Sequence, residues 1–235
     1  MILRRGIYSQ KRISNTFQQI KCNSSSKDVI DLGNSILAGV RSFESWLYIP
    51  TFQGGNDYIM YNNEGQSDGA VSISFRNAGG LRLAVSQGGS TTYTDTNTAV
   101  PLATFFHYAF TIDSSNGLKV YLNGVLQTDT ASSITGALVS TTNALELAGN
   151  TISDFRYIDC TYKEVRFWTD VRTGSEILAN KDVEIPSGTS GLKEVWRFAD
   201  ETGATVTGEK GATGTILTSN AGGTTYINST MRETI

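Results

Sequence analysis

Apolar and polar residues alternate one by one along most of this chain. Val71-Ser72-Ile73-Ser74-Phe75 alternates without a fault, and after Asn77-Ala78-Gly79-Gly80 the residues Leu81, Leu83 and Val85 share one face. Phe43, Ser45, Leu47 and Ile49 point one way, and Glu44, Trp46 and Tyr48 the other. Phe106 to Ile112 and Lys119 to Leu122 alternate as well, and the pairs Val165/Phe167 and Trp196/Phe198 repeat the pattern late. Successive side chains of a strand leave its opposite faces, so this period predicts many strands, each buried on one side.

The punctuation between the runs fits hairpins. Asn123-Gly124 lies between Val120-Tyr121-Leu122 and Val125-Leu126, and an Asn-Gly pair there predicts a type I′ turn, whose two central residues need positive φ. Asp113 to Gly117 predicts a second hairpin loop. Segments 53–57, 62–69, 86–99 and 149–160 are rich in Gly, Asn, Asp, Ser and Thr and read as long loops, where function on a rigid β scaffold usually sits. One short helix is expected near 174–181, because Thr173-Gly174-Ser175-Glu176 reads as a capping box ahead of Ile177, Leu178 and Ala179. Pro186, Gly188 and Gly191 then break regular structure.

Composition sharpens this picture. The chain has 235 residues, 17% of them charged, with 24 Gly and only 3 Pro. That length suits one β-sandwich with an arm and can build a core without metal or disulfide staples. The net charge of −3 gives no global field for nucleic acid or an acidic membrane. Arg4, Arg5, Lys11 and Arg12 form a local basic arm, suited to an acidic neighbour and too poor in aromatics for nucleic acid. No segment approaches the ~18–20 apolar residues of a membrane span. Ile7 and Tyr8 are followed at once by Ser9, Gln10 and Lys11, so no signal peptide is read. The sequons at Asn23 and Asn228 are expected by chance in a chain this rich in Ser and Thr. Cys22 and Cys160 form no CxxC and with a single His cannot make a structural zinc site. Their pairing is left open, with free thiols the simpler reading.

Several segments, in order, resemble the laminin-G-like group of the concanavalin A-like lectin/glucanase superfamily. Phe106-His107-Tyr108-Ala109-Phe110-Thr111-Ile112-Asp113 with Gly117-Leu118-Lys119-Val120-Tyr121-Leu122-Asn123-Gly124 is similar to that family's W-H-x-A-x-T-x-D…G-x-x-x-x-Y-x-N-G strand pair. Lys163-Glu164-Val165-Arg166-Phe167-Trp168 resembles its D-E-V-R-I-W strand, and Gly191 to Phe198 its G-L-x-x-Y-W-x-F segment. Phe43 to Leu47 and Lys27 to Leu32 fit the opening strands. Phe106 stands where the family usually has Trp, and Lys163 where it often has Asp. The resemblance implies a jelly-roll of two antiparallel sheets over residues 20–217, preceded by the arm 1–19 and followed by a tail or closing strand at 218–235. It also implies a ligand at the concave face or loop rim, with calcium as a candidate cofactor.

The residues themselves argue for binding over catalysis. Glycoside hydrolysis needs paired carboxylates, and Glu44, Glu146, Glu164 and Glu194 each lack an acid two residues away. His107 sits inside a strand and reads as structural, as do Trp46, Trp168 and Trp196. Sugars are gripped by amides, carboxylates and an aromatic ring. The candidate ligand-binding residues are Asn56, Asp57, Tyr58, Asn62, Asn63, Asp68, Tyr93, Asp95 and Asn97, with Asp57, Asp68, Asp154 and Asp159 as possible calcium donors. The expected function is therefore a non-enzymatic, lectin-like module. A chain that starts at Met without a secretion signal further predicts a virion-surface protein of the capsid-decoration or tail kind. Its partners would be a glycan or surface ligand and neighbouring virion subunits, homo-oligomers included, with neither nucleic acid nor membrane insertion. The rival expectation is a stand-alone, calcium-dependent cellular or bacterial lectin.

Overall fold

The alternating runs become strands. In the computed structural model, residues 19–52, 57–62, 68–76, 79–115, 117–130, 136–151, 156–198, 204–219, 225–227 and 232–233 are described, with backbone alone at 57, 128–130, 218–219, 225–227 and 232–233. Strands β1 (Gln19–Cys22), β2 (Asp28–Asp31), β3 (Ser42–Tyr48), β4 (Asp57–Tyr61), β5 (Val71–Phe75) and β6 (Leu81–Gln87) come first. Then follow β7 (Ser90–Asp95), β8 (Phe106–Asp113), β9 (Gly117–Leu122), β10 (Val125–Thr130), β11 (Glu146–Leu147) and β12 (Cys160–Trp168). Helix α1 (Gly174–Asn180) precedes β13 (Leu192–Trp196), β14 (Thr205–Thr207), β15 (Thr213–Ser219), β16 (Thr225–Ile227) and β17 (Arg232–Glu233).

These strands make two antiparallel sheets packed as a sandwich. The first runs β10-β9-β8-β3-β12-β1-β17, and the second β14-β15-β2-β11-β4-β5-β6-β7. β12 is long enough to take two neighbours on one side: β1 along its first half and β13 along its second. The inward residues of both sheets share one core, with Phe43, Leu47, Phe110 and Phe167 from the first and Ile30, Ile73, Phe75 and Leu83 from the second. Phe43 is central, its ring 4.9 Å from Phe167 and 5.3 Å from Phe110. Each such burial stabilises the fold by about 1.5–3 kcal/mol.

The turns follow their residues. Asn123 and Gly124 both take positive φ, 51° and 81°, as a type I′ hairpin requires. The Thr173 side chain accepts from the Glu176 amide and the Glu176 carboxylate accepts from the Thr173 amide, which closes the capping box; α1 ends at Asn180, one residue before the expected limit. Segment 86–99 differs from its reading as a loop. Gly88 and Gly89, at φ 60° and 74°, turn the chain back so that Ser90–Asp95 pairs with β6 from Gln87 to Arg82. A Gly-Gly reversal followed by a Thr- and Tyr-rich run is itself a hairpin pattern, and here the strand propensity prevails over the polarity.

A buried charge network closes the outer face of the first sheet. Arg166 donates to Glu164 at 2.9 and 3.0 Å, reaches Glu44 at 3.4 Å, and donates to the carbonyls of Asn180 at 3.0 Å and Val183 at 2.6 Å. Trp46 Nε1 donates to the Lys181 carbonyl at 2.6 Å. Arg197 donates to the Ile185 carbonyl and pairs with Glu164 at 3.5 Å. The segment 180–185 is thereby pinned across this sheet as a roof.

Candidate functional site

The outer face of the second sheet is the other broad surface of the sandwich. Residues directly opposite in antiparallel strands leave the sheet on the same side. Register therefore sets Thr205, Thr215, Asp31, Glu146, Tyr61, Ser72, Ala84 and Tyr93 in one transverse row, one from each of eight strands. The adjacent row carries Tyr58, Ser74, Arg82 and Asp95. The residues between, such as Ile73 and Leu83, belong to the core, so these rows face outward.

The face has two aromatic ends separated by small side chains. At one end the Tyr58 and Tyr61 rings lie 4.3 Å apart, and Arg156 donates to the Tyr58 hydroxyl at 2.9 Å while covering its ring at 5.2 Å. Both tyrosines are buried. Nearby Tyr157 packs where Gly149 leaves room: a Cβ on Gly149 would lie 2.4 Å from the Tyr157 ring and 2.9 Å from Val29. Ser72, Ser74 and Ala84 form the middle and are also buried. At the other end Arg82 donates twice to Asp95, each at 2.7 Å, and its guanidinium stands 5.1 Å from the centroid of the Tyr93 ring. Hydrogen bonds from Arg82 hold the Asp95 carboxyl below its ordinary value, against the opposing effect of partial burial. Tyr93 is 46% exposed, so this end presents an accessible ring beside a fixed guanidinium–carboxylate pair.

The structure sorts the sequence-expected residues. It brings Tyr58, Tyr93 and Asp95 to one face, and it places them on strands β4 and β7 rather than in loops. Asn62 is fully buried, accepts from the Thr141 hydroxyl at 2.8 Å and donates to the Asn143 carbonyl, so it holds the 141–143 segment. Asp68 accepts from the Gly89 amide at 3.2 Å, and Asn97 donates to the Gln127 carbonyl on β10. Asn56, Asn63 and the arm 1–18 lie outside the described residues, and Asp57 is described by backbone alone. Tyr61, Arg82 and Arg156 join the face without having been singled out. The signal for Arg82 was its place opposite the apolar positions of an alternating strand, next to residues not recognised as a strand.

The described residues bring no calcium donor set together. Among the described residues no three acidic, histidine or cysteine side chains converge. Asp159 accepts from the Ser24 amide at 2.6 Å and Asp68 is committed to a different turn, while Asp154 lies outside the described residues. The strand carboxylates are likewise occupied. Glu44 accepts from Trp168 Nε1 at 2.8 Å and sits 3.2 Å from His107 Nε2. Glu194 accepts from the amides of Val195, Lys210 and Ala212. Glu146 accepts from Thr151, and its burial raises its carboxyl. Trp168 and Trp196 are fully buried, and His107 packs edge-on against Trp46. A cavity of about 450 Å³ beside Leu32–Ile36 and Lys210–Thr213 is lined by Lys193 and Lys210, whose ammonium groups are taken by backbone carbonyls.

Residues 24–178 match the family model described as the concanavalin A-like lectin/glucanases superfamily. The chain belongs to this superfamily. Solved structures agree on the fold of this superfamily member. A Bacteroides ovatus protein, provisionally identified as carbohydrate binding, is 18% identical with a TM-score of 0.69; the match covers 87% of this chain and 58% of that one. The heptameric SAP-like pentraxin of Limulus polyphemus is 16% identical with a TM-score of 0.53, covering 77% of this chain and 91% of that one. The CBM40 of the Ruminococcus gnavus IT-sialidase is 18% identical with a TM-score of 0.52, covering 71% and 98%. No curated protein matches the sequence. No helix among the described residues is long and apolar enough to cross a membrane.

Proposed function

We propose that this superfamily member is a non-catalytic carbohydrate-binding module that engages its glycan on the outer face of the second sheet, at the Tyr93–Arg82–Asp95 end. The observation that carries the reading is an exposed ring fixed beside a bidentate ion pair, on the edge strand β7 of the second sheet. A sugar ring offers C–H groups to an aromatic face and hydroxyls to a planar guanidinium–carboxylate pair. The kinship supports the same class: the Bacteroides ovatus protein is described in terms of carbohydrate binding, and the Ruminococcus gnavus module has been seen with α2,3- and α2,6-sialyllactose.

The test is a glycan array with folded wild-type protein and with Tyr93→Ala, in calcium and in chelator. Binding to a defined glycan that Tyr93→Ala abolishes supports the assignment, and binding that survives the substitution moves the site elsewhere. The virion-surface setting is a finer proposal, carried by the basic arm alone. Deleting residues 1–18 then abolishes incorporation into particles while the sandwich still folds, and normal incorporation of the truncated chain refutes it.

A further inference from the structure

The chain has two cysteines, 138 positions apart, and the fold puts them directly opposite each other. Cys22 on β1 is the Cα partner of Cys160 on β12. In antiparallel strands directly opposed Cα atoms are about 4.5 or 5.5 Å apart, and both spacings fall inside the roughly 4.4–6.8 Å range of disulfides. Both side chains point to the same side, because both belong to the main core together with Tyr108 and Tyr162. The thiols also touch: burial raises the Cys22 thiol, and a hydrogen bond with Cys160 raises it further. A cavity of about 360 Å³ adjoins the pair, lined by Lys21, Asn23, Asp159 and Thr161 as well as the two cysteines.

We propose that Cys22 and Cys160, free thiols here, are a cross-strand dithiol that oxidises to a disulfide and staples β1 to β12. This lies outside the glycan reading and does not depend on it. The oxidant is a low-molecular-weight disulfide such as oxidised glutathione. One cysteine loses its proton and its sulfur attacks the glutathione disulfide; a mixed disulfide forms, and one glutathione leaves and takes up a proton. The second cysteine, deprotonated in turn, attacks the protein-bound sulfur and expels the second glutathione. Two cysteine thiols are oxidised by two electrons and one glutathione disulfide is reduced to two thiols. Burial of the thiols makes the closure slow in the folded state at neutral pH and faster as pH rises, because the thiolate is the attacking species. Once formed, the bond constrains a long loop of the unfolded chain, which is where such a staple gains most.

The experiment refolds the full chain in oxidised or in reduced glutathione and maps the alkylated, non-reduced digest by mass spectrometry. The expected result in the oxidised arm is a linked Cys22–Cys160 peptide pair, no alkylatable thiol after denaturation, and a Tm higher by about 5–15 °C that dithiothreitol reverses. Cys160→Ser should lose the oxidant-dependent rise. Two free thiols after oxidative refolding, glutathione adducts in place of the intramolecular bond, disulfide-linked dimers, or a linked pair without a Tm rise would each overturn the proposal. The wild-type map decides the matter even where Cys160→Ser fails to fold.

Discussion

Replacing Arg166 by Met tests whether the buried network under the 180–185 roof anchors that roof. Methionine keeps much of the arginine stem and removes the charge and every donor. The variant loses the bidentate pair with Glu164 at 2.9 and 3.0 Å, the contact with Glu44 at 3.4 Å, and two bonds to the carbonyls of Asn180 and Val183. Removing one partner of a buried ion pair costs about 3–5 kcal/mol, mostly because the other charge is left without compensation. Here Glu164 keeps Arg197 at 3.5 Å and Glu44 keeps Trp168 at 2.8 Å, which places the loss near the lower end, ~3 kcal/mol. For a domain of this size that is a Tm drop of roughly 6–12 °C. Urea and thermal unfolding at pH 7 measure it. Arg82→Met, which breaks the half-exposed pair with Asp95, is the control and should cost no more than about 1 kcal/mol. Adding Glu164→Gln to Arg166→Met should recover part of the loss. An Arg166→Met loss no larger than the control would refute the idea that the network holds the roof.

Further expectations come from the same geometry. Burial alone would push the Glu44 carboxyl up, but the Arg166 charge, His107 and Trp168 together outweigh it and bring it down to about 2. A depressed folded value contributes stability above the unfolded value near 4.5 and loses it as pH falls towards 2, so acid unfolding between those limits should flatten in Glu44→Gln, read by tryptophan fluorescence. Gly124→Ala should destabilise by about 1–3 kcal/mol in chemical denaturation, since its φ is +81° and a Cβ would lie 2.7 Å from the Leu178 side chain and 3.1 Å from its Cα. Tyr93→Ala should leave the Tm within about 2 °C while lowering glycan affinity by about tenfold or more by calorimetry, because the ring is exposed and supports no core.

What the chain could say alone was local. Strict alternation at Val71–Phe75 and Leu81–Val85, the Asn123-Gly124 turn and the Thr173–Glu176 capping box are each written within a few residues, and each formed as read. Their order along the chain also carried the likeness to the superfamily that residues 24–178 match. The hairpin at 86–99 was written in the sequence too, in Gly88-Gly89 and the run Ser90-Thr91-Thr92-Tyr93-Thr94-Asp95, but polar composition obscured it.

The candidate face was decided only by tertiary structure. Alternation assigns a residue to one side of its own strand but does not say which strands become neighbours. The register of the consecutive strands β4 to β7 set Tyr61 beside Ser72, Ser72 beside Ala84 and Ala84 beside Tyr93, while long-range contacts turned Asn62 from an expected ligand contact into a buried tie to Thr141 and Asn143. Tertiary structure also roofed the outer face of the first sheet, because Arg166 draws the carbonyls of Asn180 and Val183 across it. Cross-strand register likewise brought Cys22 to Cys160. A pairing of that kind depends on how the whole chain buries its apolar faces, and no local window of sequence contains that information.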